Sequence, residues 1–149
     1  MQSRKTTGAI LLSALLFLLA ACCPCRKCQR LYGAPLVGTQ WQLVQLNGQD
    51  IPNPDSRFSL HFENRRQLNG SSGCNRYRAA CDAQPNGHLH IGEIAVTRMA
   101  CPDAGTESSF LEMLRSTVRY ELDAKMLILS DSIGVRAIFQ AAGTENKQL

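Results

Sequence analysis

Apolar and polar residues alternate along residues 39–46 and 57–63, which is the pattern of β-strands that bury one face. The alternation is cleanest in the second stretch, where Phe58, Leu60 and Phe62 are expected to point inward. A segment with two prolines separates the two stretches and is typical of a surface loop. The first half of the chain is therefore predicted to supply strands of an antiparallel sheet.

The next strand-like stretch, residues 67–80, contains a Gly/Ser-rich turn signal at residues 70–73 that leads into a cysteine and an asparagine. Gly70 and Gly73 in such a run suggest a β-bulge, or a place where another part of the backbone comes close. After a turn over residues 82–87, residues 88–96 alternate again and are predicted to form a further strand.

The pattern changes after residue 102 from a period of two to the period of a helix. One helical stripe is formed by apolar residues at i, i+1, i+4 and i+8, namely Phe110, Leu111, Leu114 and Val118. Short strands are predicted to follow at residues 120–122, 126–129 and 135–139. This order predicts an α+β domain with a strongly curved, mainly antiparallel sheet and one covering α-helix.

The composition fits one folded domain, with 149 residues of which 19% are charged and 6% aromatic. The net charge of +4 is small and gives no reason to expect nucleic acid as a partner, which requires a clustered basic face. Four arginines do lie around the predicted central hairpin: Arg65, Arg66, Arg76 and Arg78. They are suited to anionic lipid headgroups or lipopolysaccharide, and an ordinary solvent-exposed face is the alternative.

Residues 1–21 have the organisation of a secretory signal peptide. Arg4 and Lys5 form a basic start, and residues 9–21 are almost entirely apolar. A helix over this apolar run would measure about 20 Å, which is short for a hydrocarbon core of about 30 Å. We therefore expect export of the chain, with an uncleaved anchor helix as the alternative.

The end of this leader, Leu-Ala-Ala-Cys at residues 19–22, resembles the lipobox at which bacterial lipoproteins are processed. The resemblance implies that Cys22 is lipidated with diacylglycerol and becomes the first residue of the mature protein. Two or more acyl chains hold a protein durably on a membrane. Residue 23 is not Asp, which retains enterobacterial lipoproteins at the inner membrane, so the expected location is the periplasmic face of the outer membrane.

A cysteine-rich tether is predicted over residues 22–37, ahead of the folded domain. Cys25 and Cys28 have the spacing of a metal or redox motif, but the sequence around them lacks the βαβ pattern in which such motifs work. Together with Cys23, they are expected to form disulfides within or between chains, or to carry further acyl groups.

Several motifs together resemble one family of bacterial envelope lipoproteins. They are Trp41-x-Leu43, an alternating Phe-x-Leu-x-Phe, the run Gly-x-x-Gly-Cys-Asn-Arg-Tyr from Gly70, and the run Ile-x-x-Thr-x-Met-Ala-Cys-Pro from Ile94. Over residues 38–140 the chain is similar to the META/HslJ family. The resemblance implies a domain at 38–141 before a polar tail at 142–149, and a motif set of Gly70, Gly73, Asn75, Arg76, Thr97 and Met99. It also implies a link to heat stress and antibiotic tolerance, and a fold likened to that of lipoproteins that escort secretins.

Cys74 and Cys101 lie in these two motifs and are expected to form a disulfide in an oxidising compartment. Closing a loop of about 27 residues would contribute roughly 3–4 kcal/mol to stability. Cys81 stands where the family tends to have other residues, and it complicates the pairing. The alternative is a catalytic thiol, because Cys101 precedes the predicted helix and a helix N-terminus lowers a thiol pKa.

Two kinds of polar residue are candidates for a site. Asn75 is expected to hold a turn through its side chain, and Thr97 to bond locally, because both side chains readily bond nearby backbone. Three histidines are expected to point outward from their strands, and on one face they form a candidate zinc site: His61, His88 and His90. A solvated polar face is the alternative for them.

These observations predict a non-enzymatic binding or accessory module of the cell envelope, without catalytic residues, metal or cofactor. A peptide of an envelope protein, or an acyl chain, is expected to bind in a groove between the curved sheet and its helix. The alternative is a thiol- or metal-dependent enzyme of the envelope that uses Cys74 and Cys101, or the face with His61, His88 and His90.

Overall fold

The computed structural model describes residues 33–100, 102 and 104–143, and every structural statement below concerns these residues. They form nine β-strands, one α-helix and a 3-10 turn at Pro54–Ser56. The elements in chain order are β1 (Gln40–Leu46), β2 (Gln49–Asp50), β3 (Phe58–Asn64), β4 (Gln67–Ser72), β5 (Asn75–Ala83), β6 (Leu89–Val96), α1 (Ala104–Ser116), β7 (Arg119–Asp123), β8 (Met126–Ser130) and β9 (Val135–Ala141).

The strands form one antiparallel sheet in the order β6-β5-β4-β3-β1-β9-β8-β7, with the short β2 paired to β1. The sheet curls until its two outer strands approach one another. His88 forms a β-bridge with Arg119, and the Leu89 N–H donates to the Val118 carbonyl at 3.0 Å. Within the described residues, β6 and β7 do not pair with each other as strands, so the sheet is a half-barrel whose two edges meet only at this bridge.

Helix α1 packs against β4 and β6 and brings one aromatic side chain to the centre of the core. The Phe110 ring lies 5.5 Å from Phe58, 5.8 Å from Tyr77 and 6.2 Å from Phe139, measured between ring centroids. Tilted and edge-to-face contacts of this kind are favourable between aromatic rings. The predicted α+β class, a curved antiparallel sheet with one covering helix, is confirmed.

The space between the helix and the concave face of the sheet is filled. Phe110, Met113 and Leu114 are each 0% exposed and occupy it. The apolar side of the helix is thus buried against the sheet, which is where a surface helix gains most free energy. The peptide or acyl-chain groove expected between sheet and helix stays a prediction.

The strand-like stretch over residues 67–80, with its Gly/Ser-rich turn signal, is a hairpin. β4 and β5 pair with Ser72 opposite Asn75, which leaves Gly73 and Cys74 as a two-residue turn. Gly73 has φ +85°, a conformation that glycine adopts without strain. The expected bulge at this glycine is therefore wrong, since the chain reverses direction there.

The helix ends earlier than its apolar stripe suggested. α1 stops at Ser116, and the Thr117 hydroxyl donates to the Met113 carbonyl at 2.8 Å just beyond it. Val118, predicted as the last residue of the stripe, lies outside the helix and is 37% exposed. The next residue, Arg119, already begins β7.

The folded domain begins before residue 38, where the tether was predicted to end. Leu36 is 4% exposed within the core, and its carbonyl accepts the Trp41 indole N–H at 3.2 Å. Val37 forms a parallel bridge with Phe62, and the Ala34 N–H donates to the Ala124 carbonyl. The proposed signal peptide, Cys22 and most of the tether lie outside the described residues, within which no helix has the length and apolarity to cross a membrane.

Candidate functional site

The family motif from Gly70 to Tyr77 is organised around a close approach of strands. A Cβ atom on Gly70 would lie 2.0 Å from the Ser59 carbonyl oxygen and 2.7 Å from the Tyr77 hydroxyl. The Tyr77 hydroxyl uses this space to donate to the same carbonyl at 2.8 Å. The predicted close approach at Gly70 is thus confirmed, and burial raises the pKa of Tyr77 well above its usual value.

Asn75 is the centre of a buried polar network at the end of the hairpin. It is 3% exposed, and its amide oxygen accepts from the Met99 N–H and the Thr97 hydroxyl, each at 2.8 Å. Its amide nitrogen donates to the Met99 carbonyl at 3.2 Å. Asn75 therefore fixes a segment more than twenty residues away in the chain, whereas the sequence suggested that it holds its own turn.

The first turn of α1 is tied to the same point. The Glu107 carboxylate accepts from the Ser72 hydroxyl at 2.8 Å and from the Asn75 amide at 3.1 Å. Ser72 is 0% exposed, so its hydroxyl is satisfied inside the protein by this carboxylate. We refer to Ser72, Asn75, Thr97, Met99 and Glu107 as the hairpin clasp.

Thr97 extends β6 to the clasp. The Thr97 N–H donates to the Arg76 carbonyl at 3.0 Å, and the Thr97 hydroxyl accepts from the Arg76 N–H at 3.1 Å. Local bonding was expected for Thr97, but its partners Asn75 and Arg76 lie more than twenty residues away in the chain and on another strand. The motif residues Gly70, Gly73, Asn75, Arg76, Thr97 and Met99 therefore all lie at or beside the β4–β5 hairpin.

The sequence did not predict that Ser72 and Glu107 belong to the clasp. The signal for Glu107 was its place in the first turn of a predicted helix, where a carboxylate is favourable. Its hydrogen-bond partners are more than thirty residues distant in the chain, and no local pattern reveals such a pairing.

Two cysteines lie within the described residues, and their states differ. Cys74 is not a free thiol, whereas Cys81 is free and buried. Burial, and secondarily the charge of Asp82, raises the pKa of Cys81 to about 11, which leaves little reactive thiolate at neutral pH. Cys81 therefore does not pair with Cys74.

Cys101, the predicted partner, lies outside the described residues, as do Cys22, Cys23, Cys25 and Cys28.

The three histidines do not share a site. His61 lies on β3 and His90 on β6, with two strands between them, which corresponds to roughly 14 Å across the sheet. The Nδ1 atom of His61 lies 3.1 Å from the Thr39 carbonyl, whereas His88 precedes β6 and bridges to Arg119. No group of three potential metal ligands occurs within the described residues, so the predicted three-histidine face is wrong.

The four arginines of the central hairpin separate into two pairs. Arg65 donates to the Ala83 carbonyl at 2.9 Å and to the Tyr120 hydroxyl at 3.1 Å, and Arg66 is exposed at the β3–β4 turn. Arg76 and Arg78 lie on β5 and point to the outer face of the sheet. There they line a groove of about 480 Å³ together with residues of β4 and β6.

The family of the chain follows from comparison with known proteins. The model of the META domain matches residues 34–144, about three quarters of the sequence. The chain belongs to the META domain family, as its hairpin motifs suggested. A comparison with curated protein sequences found no match.

Solved structures with the same fold agree with this assignment. An NMR structure of one protein is 24% identical and has a TM-score of 0.60, covering 74% of this chain and 95% of that one. An NMR structure of a protein from Burkholderia xenovorans is 25% identical with a TM-score of 0.55, covering 77% and 86%. A crystal structure of a DUF4847 family protein from Bacteroides vulgatus is 18% identical with a TM-score of 0.52, covering 71% and 93%.

Proposed function

We propose that the protein is a lipid-anchored META-domain lipoprotein at the periplasmic face of the outer membrane. In this role it is a non-enzymatic binding or accessory module. It contributes to the heat-stress and antibiotic tolerance to which its family is linked. The leader and the lipobox-like residues 19–22 support the anchor. About ten residues separate Cys22 from the first described residue, so the domain would lie within a few tens of ångströms of the membrane.

The observation that most supports a non-enzymatic role is the use of the motif side chains. Ser72 and Asn75, the most distinctive polar residues of the hairpin, are 0% and 3% exposed and are bonded to Glu107. A nucleophile or general base must reach a substrate, whereas these groups hold the hairpin, the segment after β6 and α1 together. The motif is thus best explained by stability, and partners are expected to meet the outer surface.

A disulfide between Cys74 and Cys101 fits this role. The backbone of Met99 is bonded to Asn75, which directly follows Cys74, and Cys101 is only two residues beyond Met99. Two residues of chain reach at most about 7 Å, so the chain length from Met99 allows Cys101 to come within bonding distance of Cys74. The bond would then reinforce the hairpin clasp covalently.

Lipidation is tested by replacing the proposed acceptor in the full chain. Cys22→Ala should abolish the added lipid mass and the outer-membrane location, because no thioether can form. Cys23→Ala is the matched control and should remain lipidated. Separation of the two membranes on a density gradient, with intact-mass measurement, checks both. A Cys22→Ala protein that still carries lipid and fractionates like the wild type would refute the anchor.

The state of the cysteines distinguishes the accessory role from a thiol enzyme. Peptide mapping of the protein from membranes should show Cys74 joined to Cys101 and Cys81 as a thiol. If Cys74 instead reacts rapidly with iodoacetamide in the folded protein, the disulfide with Cys101 is excluded, and the result favours a thiol-dependent enzyme.

A further inference from the structure

We propose that the groove on the outer face of β4, β5 and β6 binds a phosphomonoester through Arg76 and Arg78. The groove has a volume of about 480 Å³, and Asn69, Ala95 and Thr97 also line it. The proposal adds a ligand class to the binding role proposed above, but its geometry does not depend on the lipid anchor.

The two arginines are arranged for a shared ligand. They are two residues apart on one strand, so both side chains leave the same face with Cα atoms roughly 7 Å apart. Both are exposed, and neither forms an ion pair within the part of the chain that the structure describes. Two neighbouring cations that form no direct ion pair repel each other, and an anion between them relieves that repulsion.

The floor of the groove permits close approach. Asn69, Arg78 and Ala95 are direct neighbours across β4, β5 and β6, so the side chain next to Arg78 on β6 is a single methyl group. Gly70 contributes backbone only. A ligand can therefore lie flat against the strands between the two guanidinium groups.

Charge favours a phosphomonoester over a carboxylate. A phosphomonoester carries a charge of about −1.5 to −2 at neutral pH and offers three acceptor oxygens, which matches two forked guanidinium donors. A carboxylate would neutralise only one of them. On its other side, Arg78 lines a neighbouring depression together with Glu63 and Glu93. These two carboxylates repel an anion, so the phosphate is expected on the side of Arg78 that faces Arg76.

The test uses the mature protein purified from membranes in neutral detergent. Glycerol 3-phosphate is titrated as the soluble ligand, and short-chain phosphatidic acid in the micelles presents the same group on a lipid. Glycerol and short-chain phosphatidylcholine are the matched controls. Amide NMR shifts at Arg76, Arg78 and Ala95 report the position of binding, and their titration reports the affinity.

The wild type should bind at least one of the two phosphomonoesters, and the bound form identifies the source as lipid or soluble. R76Q and R78Q should each weaken binding about tenfold, since a hydrogen bond to a charged group is lost. Arg115→Gln makes the same change of charge at the exposed end of α1 and should leave binding unchanged. The proposal is overturned if neither phosphomonoester binds, or if the double variant with an unchanged melting temperature binds like the wild type.

Discussion

The two ends of the sheet are held by different means. In β7, β8 and β9 the strands are joined by short turns, and the interior residues are apolar: Leu127, Leu129, Ala137 and Phe139. In β4, β5 and β6 the interior also contains Ser72 and Asn75, whose side chains bond to distant segments. The interior side chains named in the first region are all apolar, whereas the second region adds a buried polar network.

This difference explains where the family motifs lie. An apolar face tolerates exchange among side chains of similar size, so it leaves few invariant requirements on the sequence. A buried polar network needs each donor and acceptor in place, because an unpaired one costs about 1–3 kcal/mol. The motif residues of the β4–β5 hairpin are therefore the ones for which substitution should be most damaging.

The largest effect is expected at Gly70. In Gly70→Ala the new methyl group would meet the Ser59 carbonyl at 2.0 Å and displace the Tyr77 hydroxyl, so we expect a loss of about 4 kcal/mol in the free energy of unfolding. Gly105→Ala is the matched control, since nothing lies within 4 Å of the new atom and alanine favours helix. Urea unfolding compares the two variants, and equal midpoints would contradict the proposed close approach.

A smaller but still large effect is expected at Asn75. Asn75→Ala leaves the Met99 N–H and the Ser72–Glu107 pair without their buried partner, and should cost about 3 kcal/mol. The control is Asn69→Ala on β4, which removes an exposed hydrogen bond to Glu63 on β3. It should cost less than about 0.5 kcal/mol. Thermal unfolding measures both. If the Asn69 variant proved the less stable of the two, the clasp would not be the support that we describe.

The smallest effect is expected in the other region, at the β8–β9 loop. Asp131 accepts backbone N–H bonds from Gly134 at 2.9 Å and Ile133 at 2.7 Å, which lower the pKa of its carboxyl below the usual value. A group with a lowered folded-state pKa stabilises the protein above its unfolded pKa, near 3.8, and loses that contribution as pH falls through the folded value.

Asp131→Asn should therefore lower the melting temperature slightly at pH 7, and the two proteins should converge in strong acid. Asp50→Asn, at a carboxylate that accepts from the Gln45 side chain on an exposed turn, is the control and should change little. Calorimetry across this pH range is the measurement. If the difference in melting temperature between the wild type and Asp131→Asn stays constant with pH, the charge of the carboxylate does not contribute to stability.

The sequence revealed the apolar framework because every second residue of a strand faces the core. The pattern Phe58, Leu60 and Phe62 is buried as expected, and the shift of alternation after Leu43 corresponds to a register shift between β1 and β9 at Gln45. The curvature and the covering helix follow from the same apolar positions and from the family resemblance.

The remaining features depend on contacts between distant residues. The Gly/Ser-rich run marked a turn in the sequence, but not the two residues that form it, because Gly-Cys is not one of the usual hairpin pairs. The bonds from Glu107 to Ser72 and Asn75 cross more than thirty residues, beyond the reach of any local pattern. Val118 continues the helical period in sequence, but Thr117 ends the helix before it.

The central claim is that Asn75 holds the segment after β6 against the hairpin, and hydrogen exchange at one amide tests it directly. Met99 is 62% exposed and lies outside any strand, yet its N–H donates to the buried Asn75 oxygen. The Met99 amide should therefore be protected in the wild type and should exchange much faster in Asn75→Ala, while the amide of Phe139 stays protected in both. A Met99 amide that exchanges in the wild type as rapidly as in an unstructured peptide would contradict the account.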